Sequence, residues 1–147
     1  MDDEKTRQHI LRVQELLTHM AEVLMQRGRL HDESKLQEPE LSFFDNARDL
    51  SEVEYNSKEY WDEMSKLKTA LNSHYSKNSH HPEHYSNGID GMDLMDIVEM
   101  YFDWKASGER HNDGSMQKSI KEGKKRFNMS DQLARIFENT DRETKDW

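Results

Sequence analysis

The chain has 147 residues, 33% apolar and 35% charged, with 30 acidic against 21 basic side chains, a formal net charge of −9 and no cysteine. That is the length of one modest domain. The acidic balance excludes general nucleic-acid coating, which depends on Lys and Arg, and the missing cysteines exclude disulfides, thiolate zinc sites and thiol catalysis.

From the N-terminus, Ile10, Val13, Leu17, Met20 and Leu24 recur at spacings of three and four. This pattern predicts one long helix over Asp3 to Gln26, with Gly28 as its stop and "RGRLHDESK" as the turn that follows. A short helix is expected in "PELSFFDNARDL" after Pro39, and a second long one from Ser57 to near His74 through Tyr60, Met64, Leu67 and Leu71. Residues 76–92, "SKNSHHPEHYSNGIDGM", read as one long loop, where function is expected to concentrate. A third long helix runs from Asp93 to Ser107 and is broken by "SGERHNDG". Shorter helices follow over Ser115 to Lys125 and over Ser130 to Asn139, with Ser130 as N-cap. Strand alternation is absent, so the expected fold is all-α, a bundle of about five to seven helices in a single domain over residues 1–147.

No stretch reaches 18 apolar residues, and "MDDEKTRQ" is too polar for a signal peptide. A cytoplasmic protein is therefore expected. No internal repeat is visible.

The histidines carry the chemistry. "NSHHPEHY" at 78–85 places His80, His81 and His84 within five residues, with His74 just upstream. Without cysteine, such a cluster is a candidate for metal ligation together with Asp or Glu. His9 lies in phase with the apolar positions of the first helix, where a hydrogen-bonded core histidine is the plain alternative. His31-Asp32 can ligate as a pair only if the backbone turns sharply there; otherwise it is a polar helix end. Asp96, Glu99 and Asp103 share one face of the third helix. That helix is apolar enough to be central, so buried carboxylates on it need cations: a metal, or else Arg110 or Lys35. Tyr101 and Trp104 read as core residues. His19 and His111 read as surface residues.

In chain order, His9, His31-Asp32, His74, His80-His81 and Asp103 resemble the H…HD…D signature of the HD superfamily of metal-dependent phosphohydrolases. The segments "HDESK" at 31–35, "HYSKNSHH" at 74–81 and "EMYFDW" at 99–104 are most similar to a small, phage-rich HD-like family. The similarity spans residues 9–110 and leaves the helices at 115–140 outside it.

This resemblance implies an HD-like helical domain holding two divalent ions, with Mn, Fe, Co, Ni or Zn fitting the mixed His and carboxylate set. His9, His31, Asp32 and Asp103 would form one site. Asp32 would bridge to a second ion on His74, His80 and His81. A water shared by the ions, ionised to hydroxide, would attack phosphorus in a small nucleotide: a monoester, a triphosphate or a cyclic phosphodiester.

Lys35 and Arg110 are candidate phosphate contacts, with salt bridges to Glu38, Glu40 or Glu99 as their alternative. Ser34 could add a hydroxyl donor. His84 or Glu83 could protonate the leaving oxygen or orient a ligand, and Asn78 shapes the loop. An HD-fold di-iron oxygenase and a non-catalytic, metal-stapled binding protein are the competing readings. A phage origin would place the protein in the host cytoplasm, and a homo-oligomer stays open.

Overall fold

The computed structural model describes residues 3–46, 52–111 and 114–147. Among them are six α-helices and no strand: α1 (Asp3–Leu30), α2 (Glu40–Asn46), α3 (Lys58–Lys77), α4 (Leu94–Glu109), α5 (Met116–Phe127) and α6 (Asp131–Thr144). The all-α expectation is met, within the range of helix numbers expected.

The chain divides into two compact units, one ending at His31 and one spanning Asp32–Trp147. The first unit is α1. The helix continues through Gly28 to Leu30 instead of stopping there. Gly costs about 1 kcal/mol against Ala inside a helix, which one residue in a 28-residue helix tolerates. Acidic Asp3 and Glu4 stand in its first turn and Arg27 and Arg29 in its last, each favoured by the helix dipole.

In the second unit, α3 is capped by the Ser57 hydroxyl, which accepts from Tyr60 N at 3.0 Å. The helix runs beyond His74 to Lys77, so His74 stands inside it. The short helix after Pro39 is present as α2; residues 47–50 of that stretch lie outside the described residues. The loop expected from residue 76 begins at Asn78, after α3, and holds two single-turn 3-10 segments, Pro82–His84 and Gly88–Gly91. Helix α4 starts with a reciprocal capping box between Asp93 and Asp96, and runs past Ser107 to Glu109; of "SGERHNDG", residues 112 and 113 lie outside the described residues. Ser115 and the expected Ser130 cap α5 and α6 through their hydroxyls.

The core is the meeting of α4, α5 and α6. Met100, Tyr101, Met116, Ile120, Met129, Ala134 and Phe137 are buried together, and Trp104 packs against them. Tyr101 and Trp104 are thus core residues, as expected. Each large side chain buried here contributes about 1.5–3 kcal/mol. Gly123 of α5 lies against the Trp104 ring so closely that a Cβ would overlap it. The C-terminal helices, outside the motif-bearing stretch, therefore supply much of the wall on which α4 rests.

Candidate metal centre

Asp32 opens the second unit in a left-handed backbone conformation, φ 55° and ψ 17°, from which a 3-10 turn over Glu33–Leu36 departs. Asp is among the few non-glycine residues that adopt this region readily. The chain thus makes a sharp turn at the HD dipeptide. The turn is closed by Lys35 N donating to Asp32 O at 2.9 Å.

His74 comes from the last turns of α3, and His80 and His81 from the loop immediately after it. One carboxylate oxygen of Asp32 lies 3.4 Å from Nε2 of His74 and 3.4 Å from Nε2 of His80. His74 Nε2 and His81 Nε2 are 2.9 Å apart. Asp103 of α4 is also near, with Oδ2 3.8 Å from His80 Nε2. One ligand atom from each of Asp32, His74, His80 and His81 lies within 4.8 Å of every other. Ligands cis to one another around an ion at about 2.1 Å are separated by roughly 3.0–3.4 Å, so this donor set fits a single transition-metal ion.

The outward nitrogens explain why the inward ones converge. His74 Nδ1 sits 2.9 Å from Glu40 Oε2, and His80 Nδ1 sits 3.0 Å from Glu99 Oε1. A carboxylate that accepts a hydrogen bond from Nδ1–H leaves the Nε2 lone pair facing inward, the arrangement found behind metal-ligating histidines. Glu40 has no exposed surface. Burial alone would raise its pKa, but hydrogen bonds from Ser34, His74 and Ser73 outweigh that and hold it below the usual carboxylate value. Ser34 Oγ donates to one oxygen at 2.7 Å and Ser73 Oγ to the other at 2.9 Å. Asn78 ties the same cluster to the loop, its amide donating to Ser34 Oγ and to the His74 carbonyl, each at 2.8 Å.

His81 is pushed down to about 4, first by burial and then by the neighbouring His80 and His74, against a smaller opposing pull from Asp103 and Asp32. At neutral pH it is an uncharged imidazole, the form that binds metals.

The remaining expected residues divide as follows. Lys35 Nζ donates to Asp32 Oδ2 at 2.6 Å and stands 5.4 Å from the Phe44 ring centroid. This places an ammonium beside the metal-ligand set; its partner is Asp32, not Glu38, Glu40 or Glu99. His84 is exposed, with Nδ1 donating to the Tyr75 carbonyl at 2.7 Å, while Glu83 pairs with Arg126 at 2.5 Å. Arg110 is exposed at the end of α4 and donates to Ser107 Oγ at 3.3 Å. It lies two turns beyond Asp103, about 10 Å along the axis. His19 and His111 are exposed, as expected. His9 and His31 belong to the first unit: His9 is exposed in the N-terminal half of α1, and His31 is that unit's last residue. The cluster described above is made within the second unit.

Asp96 is a different case. It is buried at 1% exposure, as the apolar character of α4 suggested. Its charge is met by Ser79 Oγ and Tyr85 OH, each donating at 2.6 Å, and by the Asp93 amide at 3.2 Å. Its role is to brace the 79–85 loop against the start of α4, which holds His80 and His81 in register. The same bond, with burial, raises the Tyr85 pKa.

Glu40 is the site residue that sequence reasoning missed. Only the acid-rich "QEPE" marked the segment, and nothing in its local pattern separates Glu40 from Glu38. Glu99 was visible through its four-residue spacing from Asp103, but as one of a stripe rather than as the partner of His80.

A sequence profile matches residues 2–143. The chain belongs to DUF5662, a family of unknown function. No curated protein and no solved structure matches it. For this DUF5662 member, the donor atoms themselves therefore carry the functional argument. Among the described residues, no helix is long and apolar enough to cross a membrane.

Proposed function

We propose that this DUF5662 member is a metal-dependent phosphohydrolase of HD-like type, acting on a small nucleotide or related phosphate ester. The observation that carries the reading is the inward convergence of three imidazoles on Asp32, two of them backed by buried or half-buried carboxylates. A structural role for these histidines would not call for so many nitrogen lone pairs aimed at one point.

Asp32, His74, His80 and His81 would hold a divalent ion such as Mn, Fe, Co, Ni or Zn, with Asp103 beside His80. Such an ion polarises a phosphoryl oxygen and lowers the pKa of bound water. The chain's own contributions are distinct. Glu40 and Glu99 hold His74 and His80 in one tautomer and orientation. Asp32 supplies negative charge at the point where its second oxygen keeps Lys35 close. Lys35, a half-buried ammonium on a flexible stem, contacts a phosphate oxygen as a point charge when substrate displaces it from Asp32. Ser34 is already committed to Glu40 and serves orientation rather than substrate.

The test is elemental analysis of protein purified without added metal, followed by a nucleotide and phosphate-ester screen on the same sample with Mn, Co, Ni or Mg supplied. Bound transition metal, with phosphate or nucleoside release that is lost in His80→Ala, supports the reading. Metal without turnover of any phosphate ester would remove the hydrolase assignment and leave a metal-stapled domain.

A further inference from the structure

The three histidines of the centre are not held alike. His74 and His80 each have a carboxylate on Nδ1, Glu40 at 2.9 Å and Glu99 at 3.0 Å. Among the described residues, His81 has no such carboxylate behind it. Its ring lies against the ring of Tyr75, with centroids 5.2 Å apart and planes tilted by 59°. Its backbone is tied locally: its N–H donates to the Asn78 carbonyl at 3.2 Å, and its carbonyl accepts from His84 N at 2.9 Å.

Tyr75 is itself held at both ends. His84 Nδ1 donates to its carbonyl at 2.7 Å, and Arg126 of α5 donates to its hydroxyl at 3.2 Å. The same guanidinium nitrogen donates to Glu83 Oε1 at 2.5 Å. Glu83 lies in the single 3-10 turn that directly follows His81. One nitrogen of Arg126 therefore joins the ring beside His81 to the loop that carries His81. Arg126 also has an anchor toward the core. Its guanidinium carbon lies 4.8 Å from the Phe127 ring centroid, and that ring stacks on Trp104 at 6.1 Å. An isolated exposed ion pair contributes little to folding. A planar guanidinium that bridges two segments fixes their geometry instead.

We propose that Arg126 is a positioning residue for the metal centre, acting through Tyr75 and Glu83 to keep the His81 ring among Asp32, His74 and His80. It does for His81 what Glu40 and Glu99 do for the other two histidines, by clamping the ring's side and its backbone rather than its outer nitrogen. The inference rests on the metal centre of the proposed function, not on the reaction carried out there. It gives α5, outside the motif-bearing stretch, a direct part in that centre.

The test measures Co(II) and Zn(II) affinity of the full chain by competition with a calibrated chelator. Arg126→Gln weakens binding by about tenfold, the low end for groups that support a ligand from behind. Tyr75→Phe, which keeps the ring and removes the hydroxyl, weakens it comparably, and the double variant loses no more than either. In a His81→Gln background, Arg126→Gln lowers the affinity no further. That non-additivity separates positioning of His81 from a general effect on the fold. Lys125→Gln, one residue earlier on α5 and paired with Glu122, binds like the wild type. Wild-type affinity in Arg126→Gln, or an undiminished loss in the His81→Gln background, overturns the proposal. Amide hydrogen exchange of the metal-free protein tests the clamp apart from the metal: exchange at His84 and Tyr85 speeds up in Arg126→Gln. A wild type that binds no transition ion removes the centre and the positioning role with it. Unchanged exchange in a protein that does bind the ion overturns the clamp alone.

Discussion

Glu40 Oε2 stands 2.9 Å from His74 Nδ1, and that carboxylate has no exposed surface. A buried acid with two hydroxyl donors and an imidazole is a costly feature unless it sets something else. Here it sets the direction of the His74 Nε2 lone pair. Glu40→Gln keeps the volume but removes the charge, and its amide can present a donor to Nδ1. The expected result is a 10- to 100-fold weaker metal affinity (roughly, as for other partners behind metal-bound histidines) with secondary structure retained. Competition with a calibrated chelator measures it. Affinity equal to wild type would show that His74 needs no such brace.

Lys35 should separate substrate from metal. Its ammonium pairs with Asp32 at 2.6 Å, but its side chain is 40% exposed. Lys35→Ala is expected to raise KM for a phosphate ester by about tenfold with bound metal unchanged, since a single phosphate contact is removed. Metal loss in Lys35→Ala, measured by elemental analysis, would assign the residue to the centre's integrity instead.

The pH dependence of the metal-free protein follows from His81. Its folded-state pKa is depressed to about 4, by burial first and by His80 and His74 next, from 6.5. Between those values the unfolded chain takes up a proton that the folded chain refuses. Stability from this group is therefore complete above about pH 6.5 and falls as the pH drops toward 4, by on the order of 2 kcal/mol after allowance for solvent screening. Thermal melts of chelator-treated protein from pH 7.5 to 4.5 should show a falling Tm. His81→Gln should flatten that slope. An equal slope in both proteins would place the sensitivity elsewhere.

Gly123 makes a prediction about the frame behind the centre. Alanine there would favour the α5 helix by about 1 kcal/mol, but its Cβ would overlap the Trp104 ring. That ring stacks 6.1 Å from Phe127 and meets Phe137 edge-on at 5.7 Å, so it has little room to withdraw. Overpacking costs about 1–3 kcal/mol, and Gly123→Ala is expected to lower stability on balance. Urea denaturation decides the sign, and a stabilised variant would show that Trp104 can shift.

What could be read before folding was whatever is local. The periodicity of Ile10, Val13, Leu17, Met20 and Leu24 announced α1, and Ser130 announced the start of α6, because helical phase and N-caps depend on residues within a turn or two. The density of His74, His80 and His81 in a cysteine-free chain marked a candidate ligand cluster for the same reason. Gly28 misled, because one glycine's propensity is small against the summed preference of a long helix. Tertiary structure alone decided which carboxylates belong to which histidine. Glu40 reaches His74 across 34 positions, while Asp96, in phase with Glu99 and Asp103, is claimed by Ser79 and Tyr85. A carboxylate's partner is set by distances between segments remote in the chain, and no local pattern encodes those distances.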